Sequence, residues 1–196
     1  MTNKEKPISF SAPMVRAILD GRKTQTRRCV KILDGGLVKY PGSSERWCLD
    51  DVNVVLACSH GQPGDRLWVR ERIRILNRTS RLDGVECKVR YEADGEIRVV
   101  EYPSRLALAR VGTCMPNGCY REASRIVLEI VSVRVEHLCD ISEEDARAEG
   151  VDPSIVGEKW NFLEYRAGLE TLWNEIYGAG SFRKNPWVWV IEFRRI

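Results

Sequence analysis
The chain has no run of about eighteen or more apolar residues, so its sequence offers no membrane-spanning helix. A Gly-X-Y period and an internal repeat are also missing, which excludes a collagen-like fibre and a repeat array. Neither G-x-G-x-x-G nor G-x-x-x-x-G-K-[ST] occurs, so a dinucleotide site and a P-loop have no support. The first residues, Met1 to Pro7, are polar and lead into no apolar stretch, which points away from a secretory signal and towards a cytoplasmic protein. Seven cysteines (Cys29, Cys48, Cys58, Cys87, Cys114, Cys119 and Cys139) make an odd count without a CxxC pair, so reduced thiols rather than a disulfide framework are expected.

What the sequence does contain is a globular composition: 196 residues, 43% hydrophobic and 30% charged. A chain of this length buries roughly 70% of its unfolded surface, enough for one domain without covalent staples. The net charge of +3 hides an uneven distribution. Residues 1–39 hold nine Lys/Arg against three Asp/Glu, whereas residues 142–175 hold three against nine. Within the basic segment Arg22, Lys23, Arg27 and Arg28 cluster, a pattern suited to phosphate, although a solvated basic face is the ordinary use of such a cluster.

The order of elements is α+β without regular βαβ alternation. Ser11 to Gly21 predicts a short helix: Ser11 as N-cap, Pro13 in the first turn, Met14, Val15 and Ile18 on one face, and Gly21 as terminator. Gln25 to Val30 predicts a strand, as do Arg66–Glu71, Val85–Tyr91, Ile97–Val100 and Trp187–Phe193. In the longest strand, 124–136, the apolar phase switches at Ile130-Val131, which predicts a bulge. Ser142 and Asp145 form a capping box for a short acidic helix that ends near Gly150, and 162–177 predicts a longer helix with Leu169, Leu172, Trp173 and Ile176 on one face. The stretches 33–62 and 102–122 are expected to be irregular insertions. Five to six mostly antiparallel strands with two to three helices suggest a small closed or half-closed barrel within one domain spanning 1–196.

Gly21-Arg22-Lys23-Thr24-Gln25-Thr26-Arg27-Arg28 resembles the signature of the ASCH domain, a PUA-like β-barrel family, written G-x-K-x-x-[ET]-x-R. Gly21, Lys23, Thr26 and Arg28 fill its four places. Pro63-Gly64-Asp65-Arg66-Leu67 is similar to the family's G-D-x-L strand entry, and Trp189 to Phe193 to its closing strand; the whole resembles ASCH proteins of phages and prophages. One bacterial branch hydrolyses the amide of N4-acetylcytidine and carries Thr at the sixth motif place, as here. The resemblance implies Lys23, Thr26 and Glu149 as the catalytic set, no cofactor, and RNA, a modified nucleoside or single-stranded nucleic acid as partner. A non-catalytic binding module is the competing expectation, and ribonuclease activity a third.

The chemistry of those residue types is coherent. A threonine hydroxyl becomes a nucleophile when a base takes its proton, and a desolvated lysine with a lowered pKa is such a base. Glu149 would orient Lys23, or act as base through a water. Lys23 and Thr26, three apart, would face opposite ways on a regular strand, so a turn after Lys23 is required. Arg22 and Arg28 are the candidate anion contacts. Glu71 is a candidate acceptor for a base's exocyclic amine, with a salt bridge as its ordinary use. Trp68 and Trp187 are candidate stacking residues, although core packing is the ordinary use of such tryptophans and Trp187 shares a face with Trp189. His137 is read as a packing residue. Cys48, Cys58, His60, Cys114 and Cys119 include four potential zinc ligands, but their spacing matches no standard knuckle and free thiols are the commoner outcome.

Overall fold
A computed structural model describes residues 4–33, 36–39, 41, 42, 44, 46–49, 51–103, 110–115, 120–152 and 164–196. Its main body is a five-stranded, mostly antiparallel sheet. The sheet is built from β1 (Glu5–Ser9), β2 (Gln25–Cys29), β6 (Arg66–Arg70), β11 (Val127–His137) and β12 (Trp187–Arg195), in the order β1-β6-β11-β12-β2. Only the β1–β6 pairing within it is parallel. The two edge strands approach each other at one end, where Arg28 Nη2 on β2 donates to the Ser9 carbonyl of β1 at 2.9 Å. The sheet is thus curled, with its seam bridged by a side chain.

Helix α1 (Ala12–Leu19) packs Met14, Val15, Ala17 and Ile18 into the interior. The backbone of Ser11 is extended as at an N-cap but its side chain makes no capping hydrogen bond, and Gly21, at φ 75°, ends the helix and turns the chain towards β2. The main core joins Phe10 and α1 to Leu67, Val69, Leu128, Ile130, Trp189, Ile191 and Phe193. On β11, Leu128 and Ile130 point inward. The register then shifts between Ile130 and Ser132, and Val133 and Val135 pack against the same core. The bulge predicted from the phase switch is present.

The stretch 33–62 departs from expectation. It carries most of a three-stranded sheet, β3 (Ile32–Leu33), β4 (Leu37–Lys39) and β5 (Arg46–Cys48), followed by a 3-10 helix over Val52–Ala57. Val38, Val54, Ala57 and Cys58 are buried in the main core. Short strands separated by glycines escape periodicity because each offers only one or two inward positions.

A second sheet, in the order β10-β7-β8-β9, also goes beyond the sequence reading. Its strands are β7 (Ile73–Ser80), β8 (Gly84–Tyr91), β9 (Ile97–Pro103) and β10 (Cys114–Met115). They surround a core of their own, with Ile73, Ile75, Cys87, Val89, Tyr91 and Tyr102 inside. β7 lacks a sequence signal because its last four residues are exposed and a bulge between Ile75 and Asn77 breaks its alternation. The described part of 102–122 ends β9 and supplies β10 and a 3-10 turn over Arg121–Ala123.

Helices α2 (Glu143–Ala148) and α3 (Glu164–Tyr177) cover the other face of β12 through Ala146, Leu169, Trp173, Val188 and Val190. Ser142 Oγ accepts from the Asp145 amide at 3.0 Å, the first half of the predicted capping box. The Asp145 carboxylate is turned elsewhere, to Arg27 and Arg134. The expected start of the longer helix at Phe162 lies outside the described residues. No helix among the described residues is long and apolar enough to cross a membrane.

Candidate functional site
The end of α1 and the end of α2 meet where the basic and acidic segments of the sequence come together. The amides of Arg22 and Lys23 both donate to the Ala17 carbonyl, at 2.8 and 3.0 Å, wrapping the chain around the helix terminus. Lys23 then forms an antiparallel bridge with Glu149, and the Thr24 amide donates to the Ala148 carbonyl at 2.9 Å. Regular strand begins only at Gln25, where β2 enters the β12 ladder with Thr26 opposite Ile191 and Arg28 opposite Trp189. The three-residue spacing of Lys23 and Thr26 therefore does not separate them, and both line one cleft.

Gly150 holds this junction together. At φ 74°, it passes so close to the motif that an added Cβ would lie 2.7 Å from the Lys23 Cβ and 2.8 Å from the Ala17 Cβ. Left-handed backbone costs a non-glycine residue roughly 1–2 kcal/mol, and overpacking a tight interior about 1–3 kcal/mol more. Gly150→Ala is therefore expected to lower unfolding stability by about 2–5 kcal/mol in urea titrations.

The cleft has a volume of about 840 Å³ and gathers Lys23, Thr26, Arg28 and Glu149 from the motif and its partner helix. Sites of this size accommodate a nucleoside or another drug-sized ligand. Its second wall is apolar and aromatic: Ile8, Phe10 and Met14 on one side, and Leu169, Leu172, Trp173, Ile176 and Tyr177 from α3 on the other. The Trp173 and Tyr177 rings lie 4.4 Å apart between centroids. Arg27, His60, Arg72 and Glu92 add further polar groups to the lining.

Within the cleft, Lys23 Nζ donates to Glu149 Oε2 at 2.8 Å and to the Glu149 carbonyl at 2.7 Å. Both side chains are almost fully buried, at 2% and 6% exposure. Burial pushes the Lys23 amine below its ordinary value. Glu149 pulls in the opposite direction, and the neighbouring Arg28 and Arg27 charges add to the depression. The second Glu149 oxygen, Oε1, accepts from Arg27 Nη1 at 3.1 Å. Arg27 in turn bonds Glu136 Oε1 through Nε at 3.0 Å and Nη2 at 2.6 Å, and Asp145 Oδ2 at 3.0 Å. Alternation along β2 sends Gln25 and Arg27 to Asp145 of α2 and Thr26 and Arg28 to the other side, and Arg27 also borders the cleft beside Glu149.

Arg28 is held by carbonyls rather than carboxylates, those of Ser9 at 2.9 Å and its neighbour Arg27 at 3.2 Å, and lies 5.2 Å from the Phe10 ring centroid. It has no ion pair among the described residues, so its charge remains available to an anionic or carbonyl ligand. His60 is kept neutral, its pKa lowered to about 4 by burial and by the nearby Arg28 and Lys6 charges. Burial raises the Tyr177 phenol, partly opposed by Arg28.

Four predicted contacts lie outside this cleft. Arg22 is exposed and pairs with Asp20 at 3.1 Å. Glu71 is buried in a two-pronged ion pair with Arg125, at 2.8 and 2.9 Å, at the root of the second sheet, so its carboxylate is committed to structure. Trp68 is half-buried on β6, and Trp187 stacks on His137 with centroids 3.8 Å apart. The aromatic wall is supplied instead by Phe10, Trp173 and Tyr177. Arg27 fills no place of the motif, yet its alternation with Arg28 on one strand signals a separate task for each arginine.

Among the described residues, no group of three or more His, Cys, Asp or Glu is placed to hold a metal ion. Cys58 is buried in the main core, Cys48 is exposed, Cys114 lies on β10, and Cys119 is outside the described residues. No family model, curated protein or solved structure matches the chain.

Proposed function
We propose that this chain is an ASCH-type protein of PUA-like architecture whose cleft binds a nucleobase carrying an acylated exocyclic amine and hydrolyses the amide. The observation that carries this reading is convergence: Lys23, Thr26 and Arg28 line one cleft with Glu149, 126 residues from Lys23, opposite an aromatic wall suited to a planar ring.

In the first step the Thr26 hydroxyl attacks the acyl carbonyl while neutral Lys23, hydrogen-bonded among the described residues only to Glu149, accepts its proton through a bridging water. A neutral amine keeps two N–H bonds for its two Glu149 acceptors and directs its lone pair elsewhere. Arg27 shares the Glu149 charge, and burial together with the Arg27 and Arg28 charges favours the neutral amine against the pull of Glu149. Arg28 stabilises negative charge developing on the carbonyl oxygen. The C–N bond then breaks, Lys23 returns the proton to the departing exocyclic amine, and an acyl ester remains on Thr26. Water, deprotonated by Lys23, attacks that ester, releasing the carboxylic acid and restoring the threonine.

The base form of Lys23 is required, and it accumulates as pH rises. The rate of acetate release from N4-acetylcytidine should therefore climb with pH and level off below the ordinary lysine value of 10.5. Cytidine and acetate formed one for one, with that rising limb, would support the reading. Absence of release across the range would count against it. A second reading, retention of the modified base without hydrolysis, is favoured by the engagement of both Glu149 carboxylate oxygens. It predicts calorimetric binding of N4-acetylcytidine with no acetate formed.

A further inference from the structure
We propose that the outer face of the second sheet is a docking track for the single-stranded RNA that presents the base to the cleft. This rests on the reading of the cleft as a base pocket, and adds that the substrate is a polymer rather than a free nucleoside. The track starts at the cleft itself. Arg72 and Glu92, both cleft-lining, face each other at the root of the β7–β8 ladder, where the Glu92 amide donates to the Arg72 carbonyl at 3.0 Å. In the next row on the same face, Arg74 stands opposite Arg90 and Arg90 opposite Ile97; in the row after, Asn77 stands opposite Lys88 and Lys88 opposite Val99. Ile73, Ile75, Val89 and Tyr91 occupy the buried opposite face.

Charge on this face exceeds what the sheet neutralises. Glu92 Oε1 accepts from Arg74 Nε at 3.1 Å and Arg90 Nη2 at 3.3 Å, so one carboxylate serves two guanidiniums. Arg72 and Lys88 are exposed and have no carboxylate partner among the described residues. Beside Arg90 and Lys88 the edge strand leaves Ile97 and Val99 at 49% and 63% exposure, apolar surface against which sugars and bases can lie. The row beyond is Thr79, Glu86 and Glu101, whose acidic pair ends the track. Successive rows are about 7 Å apart, a stride that an extended single strand can follow. A basic strip leading out of a pocket with an aromatic wall suits a strand whose flanking phosphates are held while one base enters the pocket.

The test uses the full chain, a fluorescein-labelled single-stranded RNA oligomer and a salt titration of binding anisotropy. The Lys88→Glu/Arg90→Gln variant, altered outside the cleft, should bind the oligomer at least about tenfold more weakly at low salt. Its slope of log affinity against log salt should be shallower by about 1.4, the loss of two single-strand phosphate contacts. Conversion of free N4-acetylcytidine should be unchanged. Undiminished oligomer affinity in the variant overturns the track, and equally tight binding of a polyglutamate peptide to the wild type overturns the nucleic-acid assignment. If the variant loses RNA affinity but the wild type releases no acetate, the track stands and only the hydrolytic reading fails.

Discussion

Thr26→Ala should reduce acetate release from N4-acetylcytidine by at least about 10³-fold, because it removes the atom to which the acyl group is transferred while leaving the pocket in place. Thr26 is only 1% exposed, sits in register with Ile191 and lines the cleft, so its side chain is already enclosed by protein. Alanine keeps most of that contact and the fold with it. No described residue hydrogen-bonds the Thr26 hydroxyl, so its loss strands no buried partner. Ligand affinity should therefore change little, and a calorimetric titration separates the two effects. Loss of turnover with retained binding fits the nucleophile role. Retained turnover assigns the attack to water.

Arg27→Met is the largest expected stability effect, about 3–5 kcal/mol in chemical denaturation, the scale on which one partner of a buried ion pair is lost. The Arg27 side chain is 1% exposed and stands among three carboxylates, those of Glu136, Asp145 and Glu149. Methionine fills much of the volume but leaves Glu149 buried against Lys23 alone. Glu136 and Asp145 would keep Arg134, which pairs with both at 3.2 and 2.8 Å. The deficit would thus be concentrated at Glu149. Lys23 would be drawn towards its charged form to compensate, so any residual turnover should shift its rising limb to higher pH. A purely structural arginine would lower stability without moving that limb.

The positions of the two ends of the site were legible because each depended on local signals. Gly21 stops one helix, the Ser142 cap starts another, and the opposed charges of 1–39 and 142–175 meet in the Lys23–Glu149 and Arg27–Glu149 pairs. Roles set by tertiary placement were not legible. Glu71 and Glu149 are both buried glutamates paired with a cation, yet one anchors Arg125 beneath the second sheet and the other faces a cleft. Charge and periodicity do not distinguish them; only the motif resemblance singles out Glu149. Likewise the tryptophans flanking Val188 advertised an aromatic surface that the fold spends on packing, whereas the α3 stripe, ordinary as a helix face, became the cleft wall. Leu169 and Trp173 bury as helical periodicity predicts, but Ile176 stays 60% exposed because it faces the cleft opening rather than the core.

The most direct measurement is peptide mapping of the protein after acid quenching during turnover of N4-acetylcytidine. The mechanism predicts an acetyl ester on the peptide that bears Thr26, absent from the Thr26→Ala variant, together with acetate and cytidine in equal amounts. Turnover that proceeds without acetyl on Thr26 and persists in Thr26→Ala would contradict it.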